Sequence, residues 1–168
     1  AGIPQSEITN AVKTVVSTVS SRIAEVETDQ AAIIQITEAV SSGAVGALDE
    51  AGVTKEVMSD AVTVVISGTF EGLSNSDAQS FLSLCASSVT AGASSALGEA
   101  GIEKEDMGTV VESMISVTFT ELNNAGVDAE TITEIASDII TETVAGLETA
   151  GVEAGSPELQ SITSTIQT

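Results

Sequence analysis

Carboxylates are the only chemically active groups this sequence holds in number. Asp and Glu total 25 against 4 Lys and Arg, and there is no His. Glu130, Glu134, Asp138 and Glu142 recur every four residues, so a helix would set all four on one face. Such a face could bind divalent cations weakly, respond to pH, or simply hold water. Like charges at this spacing repel by about 0.2–0.5 kcal/mol per pair, which makes a solvated face the simplest reading. No calcium loop of alternating oxygens with a central Gly and a closing Glu occurs. Acid–base catalysis would need a pocket and displaced pKa values, and residue order supplies neither.

The remaining reactive types are few. Cys85 is the single cysteine, either a small buried hydrophobe or a link between two chains. Without His there is no Ser–His or Cys–His nucleophile, and no zinc or haem ligand set. Gly92, Gly98 and Gly101 follow no strand and precede no Lys-Ser/Thr, so they make no phosphate loop. Met58, Met107 and Met114 read as core filler. Lys13, Arg22, Lys55 and Lys104 are scattered and leave no basic footprint for nucleic acid or anionic lipid. The expectation is a chain that is not an enzyme and holds no cofactor.

An internal repeat organises these residues. Leu48-Asp-Glu-Ala-Gly52-Val53-Thr54-Lys55-Glu56 returns as Leu97-Gly-Glu-Ala-Gly101-Ile102-Glu103-Lys104-Glu105. Leu122-Asn-Asn-Ala-Gly126-Val127 and Leu147-Glu-Thr-Ala-Gly151-Val152 repeat its core. With Ile23 and Leu73 the ladder runs 23, 48, 73, 97, 122, 147, a unit of 24 or 25 residues. Within each unit apolar residues fall at three- and four-residue steps, as in Val12, Val15, Val16, Val19 and Ile23, so each unit is a helix. The spacing predicts helices near 6–26, 29–50, 54–73, 76–99, 103–124 and 128–149, then a short helix or tail over 156–168. Gly52, Gly101, Gly126 and Gly151 follow the last apolar Leu, where a left-handed glycine closes a Schellman cap. Ser6, Thr28 or Asp29, Thr54, Ser76 with Gln79, and Asp128 are start signals. Gly43, Gly46, Gly68, Gly72, Gly92 and Gly98 suit close helix approach. The prediction is all-α: one domain over residues 1–168, a single antiparallel bundle of about six helices joined by short connections.

These helices are unusually rich in β-branched residues. Thr14-Val-Val-Ser-Thr-Val19, Val62-Thr-Val-Val-Ile66 and Ile115-Ser-Val-Thr-Phe119 each carry a helix-propensity cost of a few tenths of a kcal/mol per residue. Packing can offset that cost. The same windows, with Val62, Val64, Val65 and Ile66 the clearest, also suit cross-β stacking once exposed.

Composition speaks to setting. Ser and Thr make up 42 residues, and Lys, Arg and aromatics are scarce, a bias more familiar in secreted structural proteins than in cytosolic enzymes. No continuous apolar run approaches the roughly 20 residues of a membrane span, so no membrane insertion is expected. The first residues, Ala1-Gly2-Ile3-Pro4, carry no charged-then-apolar signal.

Leu122-Asn-Asn-Ala-Gly-Val127-Asp-Ala-Glu-Thr-Ile132, with Ala136-Ser-Asp-Ile-Ile140 and Val144-Ala-Gly-Leu147, resembles the helical repeat units of spider silk proteins, aciniform and tubuliform types above all. Ser80-Phe-Leu-Ser-Leu-Cys85-Ala-Ser-Ser-Val89 is similar to silk helices, including those of C-terminal domains in which one Cys joins two chains. The similarity covers about residues 70 to 165. This sequence departs from the family in its abundant Glu, its lack of Tyr, and the absence of any poly-Ala or Gly-Pro-Gly run. The resemblance implies an extracellular structural protein whose helical units stay soluble, then assemble with copies of themselves into fibres. Candidate self-association residues are Val62, Val64, Val65, Ile66, Glu130, Glu134, Asp138, Glu142 and Cys85. Two other readings fit the sequence: a carrier holding a small apolar ligand between its helices, and an acidic helical-repeat adaptor for a basic partner.

Overall fold

Hydroxyl groups decide how a chain this rich in Ser and Thr can be helical inside. In the computed structural model, which describes residues 3–26, 29–75, 81–156 and 159–160, threonine after threonine donates to the carbonyl four residues back. Thr37 bonds Ile33, Thr69 bonds Val65 and Thr143 bonds Ile139, all buried. A side chain satisfied within its own helix can enter a core without stranding a polar group. Ser20, Ser41 and Thr118 are the described exceptions, with buried hydroxyls that meet no partner.

Six α-helices result: α1 (Gln5–Val26), α2 (Gln30–Glu50), α3 (Lys55–Ser74), α4 (Leu82–Ser95), α5 (Lys104–Asn124) and α6 (Ala129–Thr149). No strand occurs among the described residues. The predicted bounds hold within a residue or two except at α4. That helix stops at Ser95 rather than 99, and residues 76–80, with the expected Ser76–Gln79 cap, lie outside the described residues. At its C-terminal end the Ser94 and Ser95 hydroxyls bond the Thr90, Ala91 and Gly92 carbonyls, and the chain tightens to three-residue bonds at Ala96 and Leu97. Of the predicted 156–168 segment only 156, 159 and 160 are described. Ser156 there accepts the Leu159 N–H, and Leu159 packs into the core.

The caps are those the sequence proposes, with two corrections, the first being Thr54, which holds the N-cap position of α3 without a side-chain capping bond. Asp29 accepts the Ala31 and Ala32 N–H groups, and Asp128 accepts that of Thr131. Ser6 is not a cap, because the Pro4 carbonyl already accepts from Glu7 and Ile8 and α1 begins at Gln5. Thr28 lies outside the described residues. At the other ends, Gly52 takes φ +86°, a left-handed turn that an L side chain would strain. It donates to Asp49 while Val53 donates back to Leu48, the two bonds of a Schellman motif. The same two bonds recur after Leu97, Leu122 and Leu147.

The helices pack as a bundle, in two rows. α1, α3 and α5 form one row and α2, α4 and α6 the other; within a row, next-but-one helices share more contacts than helices adjacent in sequence. Side-chain bonds within rows join residues 47 to 54 positions apart, early residues meeting early and late meeting late, so row neighbours run parallel. Four residues separate α2 from α3 and α5 from α6, and such short links reverse the chain between rows. The packing unit is therefore a helix pair of about 49 residues, twice the sequence period.

Small residues bring row neighbours together. A Cβ on Gly72 would strike the Ser17 carbonyl of α1, one on Gly92 the Glu38 carbonyl of α2, and one on Gly146 the Ser94 hydroxyl of α4. Gly68 does the same against Lys13. Gly43 is an exception to the predicted set, since nothing lies within 4 Å of its Cβ position. Between the rows sits the core, with Phe70, Ile66, Leu73, Val89, Leu97, Met114 and Leu122 all fully buried.

Among the described residues, helix α2 is the one of membrane-spanning length and composition. Its 21 residues contain an 18-residue window of mean hydropathy 1.4, long and apolar enough by length and composition to cross a membrane. Ile33, Ile34, Ile36, Val40, Val45 and Leu48 supply most of that hydropathy, with Ala between scattered Ser, Thr, Gln and Glu38, so no continuous apolar run marks it. Only 28% of the window is buried in the bundle.

Candidate functional site

The acidic stripe is built on α6. Asp128 caps the helix with both carboxylate oxygens, one on the Thr131 N–H and one on its hydroxyl. These bonds hold the Asp128 carboxyl below its ordinary range, the backbone bond contributing most. Glu130, Glu134, Asp138 and Glu142 then follow at four-residue steps, all exposed; the stripe winds around the helix from Glu130, nearly opposite Gly146 and α4, to Glu142, one turn before Gly146. Among the described residues no group of three or more Cys, Asp or Glu side chains is arranged to hold a metal ion. The stripe is thus a line of separate, solvated charges.

Cations are engaged elsewhere. Lys13 pairs with Glu71 at 2.9 Å, Lys55 with Glu103 at 2.6 Å, and Arg22 with Glu25. Lys55 raises its own pKa by this pairing and lowers that of Glu103, in each case first through the hydrogen bond and then through charge. The Thr54 hydroxyl bonded to Glu56 lowers that carboxyl too.

Lys55–Glu103 is one rung of a ladder along an edge of the array. Gln5 at the start of α1 donates to the Gly52 carbonyl and accepts the Thr54 N–H. Lys55 at the start of α3 reaches the turn at Gly101 and Glu103, and Lys104 at the start of α5 lies over Gly151. Each odd helix thus begins by touching the turn one packing unit further on. Sequence reasoning missed Gln5, although it stands 49 residues before Thr54.

The other proposed self-association residues divide by depth. Val64 is half-buried, while Val62, Val65 and Ile66 are fully buried. Cys85 is also fully buried, near the Thr37 hydroxyl at 4.0 Å, and burial raises its thiol pKa. In the folded bundle none of these four buried side chains can meet a second molecule. The structure corrects the grouping of Cys85 with the acidic stripe: it is a core hydrophobe, and only opening of the bundle would free its sulfur. Because α6 and α3 lie in different rows, the nine residues form no single site.

Two surface hollows repeat one another. One of about 520 Å3 lies between the first halves of α1 and α3, lined by Thr9, Asn10, Val57, Asp60 and Ala61 among others. One of about 220 Å3 lies between α3 and α5, lined by Met58, Ser59, Asp106, Thr109 and Val110, each 49 residues on. Both open to solvent. Their recurrence follows from row geometry, since the seam between α1 and α3 closes at Gly68 and Gly72 and gapes at the helix starts.

A scan against models of known protein families finds no match to this chain, and a search of curated proteins finds none.

Proposed function

We propose that this is a self-assembling structural protein, a helical repeat unit of the silk kind, extracellular and without enzymatic activity, kept apart from its own copies by surface charge. One observation carries the reading: a net charge of −21 on a surface where three of the four cations are already paired with carboxylates. Uncompensated charge of one sign opposes close approach of identical molecules. Glu130 and Glu134, on the side of α6 away from Gly146 and α4, stand where a neighbour along the array would have to approach. Close-packed glycine seams and Ser- and Thr-rich helices suit a unit built for packing, and the silk-like turn sequences agree with them. Acidification neutralises the carboxylates, and salt screens them over a Debye length of about 8 Å at physiological strength; either removes the barrier. Light scattering from pH 7 to 4.5, and across a salt series at pH 7, tests this. Particle size is expected to rise in both series; a constant size in both would overturn the reading.

A further inference from the structure

The two ends of the array differ in kind. At the last end, α6 turns carboxylates outward. At the first end, α1 exposes Val15 and Val19, at 62% and 40%, and α2 exposes Ile36, at 38%, with Ala39, Gly43 and Ala47 beside it. On α1 the two valines lie roughly half a turn from Lys13 and Ser17, which meet α3. On α2 the stripe lies away from Glu38 and Ser42, which meet α4. Both stripes therefore cover the end face of the array; these six residues are uncharged on a chain of net −21, and Arg22, seven residues after Val15 on the same side of α1, is exposed and paired with Glu25.

This face repeats surfaces that elsewhere in the molecule are filled. Val15 and Val19 stand 49 residues before Val64 and Gly68, which α3 turns to α1. Gly43 precedes Leu48 by five residues just as Gly92 precedes Leu97, and Gly92 lets α4 settle on the Glu38 carbonyl of α2. At Gly43 the corresponding space is open. The first helix pair thus carries helix-packing positions with no helix on them. Repeat arrays ordinarily close such an end with polar residues.

We propose that a second copy of this chain covers this face, the two α1–α2 pairs meeting about a two-fold axis. The area suffices: two helices of 21 and 22 residues, about 30 Å long and about 10 Å apart, offer about 600 Å2 per molecule, and about 1,200 Å2 in total reaches the range of stable interfaces. A two-fold contact is required because the other end would bring Glu130 and Glu134 against an apolar surface, stranding charge. A bilayer fits the face less well, since the carboxylates around it are repelled by anionic headgroups. The proposal rests on the self-association reading and names its first contact, a pair formed at neutral pH through these apolar stripes and strengthened by salt, while charge on the remaining surface keeps the pairs apart.

Sedimentation equilibrium of the full chain at pH 7 and 0.15 M salt tests it. The expected species has twice the 16.8 kDa chain mass, with the dimer fraction rising with salt. Val15→Glu and Gly43→Glu, both at exposed positions and checked by circular dichroism for an intact fold, should each weaken dimerisation at least tenfold, whereas Thr133→Glu on the opposite end should leave it unchanged. A monomer at every concentration overturns the proposal, as does a dimer indifferent to both variants, or a monomer that co-sediments with phosphatidylcholine vesicles through this face. A neutral-pH monomer that still aggregates on acidification would sink the interface and leave the proposed function standing.

Discussion

Single residues show where local chemistry was legible. Asp128 is recognisable as a cap from its place before an apolar-periodic run, and its three-residue reach to Thr131 follows from that place alone. Its folded pKa lies below the ordinary value, so its contribution is present above the usual carboxylate pKa of about 4 and is lost as pH falls through the lower folded value. Asp128→Ala should therefore lower the urea midpoint at pH 7, and the gap between variant and wild type should shrink toward pH 2. Equal gaps at the two pH values would remove the charge from the account and leave only the neutral hydrogen bond. Gln5 was not legible in the same way. A glutamine at a helix start has no local signal, and its partners, Gly52 and Thr54, are fixed only by the stacking of one helix pair on the next.

At the scale of elements, helix identity was written in the three- and four-residue steps, and helix ends in the Leu-x-x-Ala-Gly turns. Row membership was not, because a 24- or 25-residue period fits both sequential and next-but-one packing. The deciding residues are glycines whose role depends on what lies opposite. Gly43 and Gly92 hold the same place relative to their Leu, yet one is open and the other is pressed against backbone. The α1–α3 seam makes the clearest test. Gly72 meets the Ser17 carbonyl and the Ser20 Cβ, and a carbonyl fixed in its helix cannot step aside as a flexible side chain would. Gly72→Ala should cost about 1–3 kcal/mol by overpacking, despite the better helix propensity of Ala. Denaturant titration checks it, and an unchanged or raised stability would mean that the seam is loose.

For the whole molecule, all-helical class and repeat number were legible, while the candidate sites were not. Valines of the 62–66 window look identical in sequence, but Val62 and Val65 are sealed in the core and Val64 reaches the surface. A change from helix to sheet in this window must therefore begin by opening α3, where packing outweighs poor helix propensity. Val64→Ala improves that propensity with little loss of core, so dried films of the variant should show less sheet in the infrared amide band than wild-type films. Equal sheet in both, or films that stay fully helical, would show that this window is ordinary core.

Mechanical load would find a different order of importance from the thermodynamic one. The start of α1, at Gln5, and the turn after α6, at Gly151, lie at opposite ends of one edge, because Gln5, Lys55 and Lys104 each touch the turn of the following unit along it. Tension applied between those two points runs across the helices rather than along them. It reaches the Gln5 carboxamide, the Lys55–Glu103 pair and Lys104 in series before it reaches the buried core. Exposed links of this kind contribute little at equilibrium, yet here they stand in the line of pull. The array would part rung by rung along that edge, dissipating work at each step while the glycine seams on the far side act as hinges.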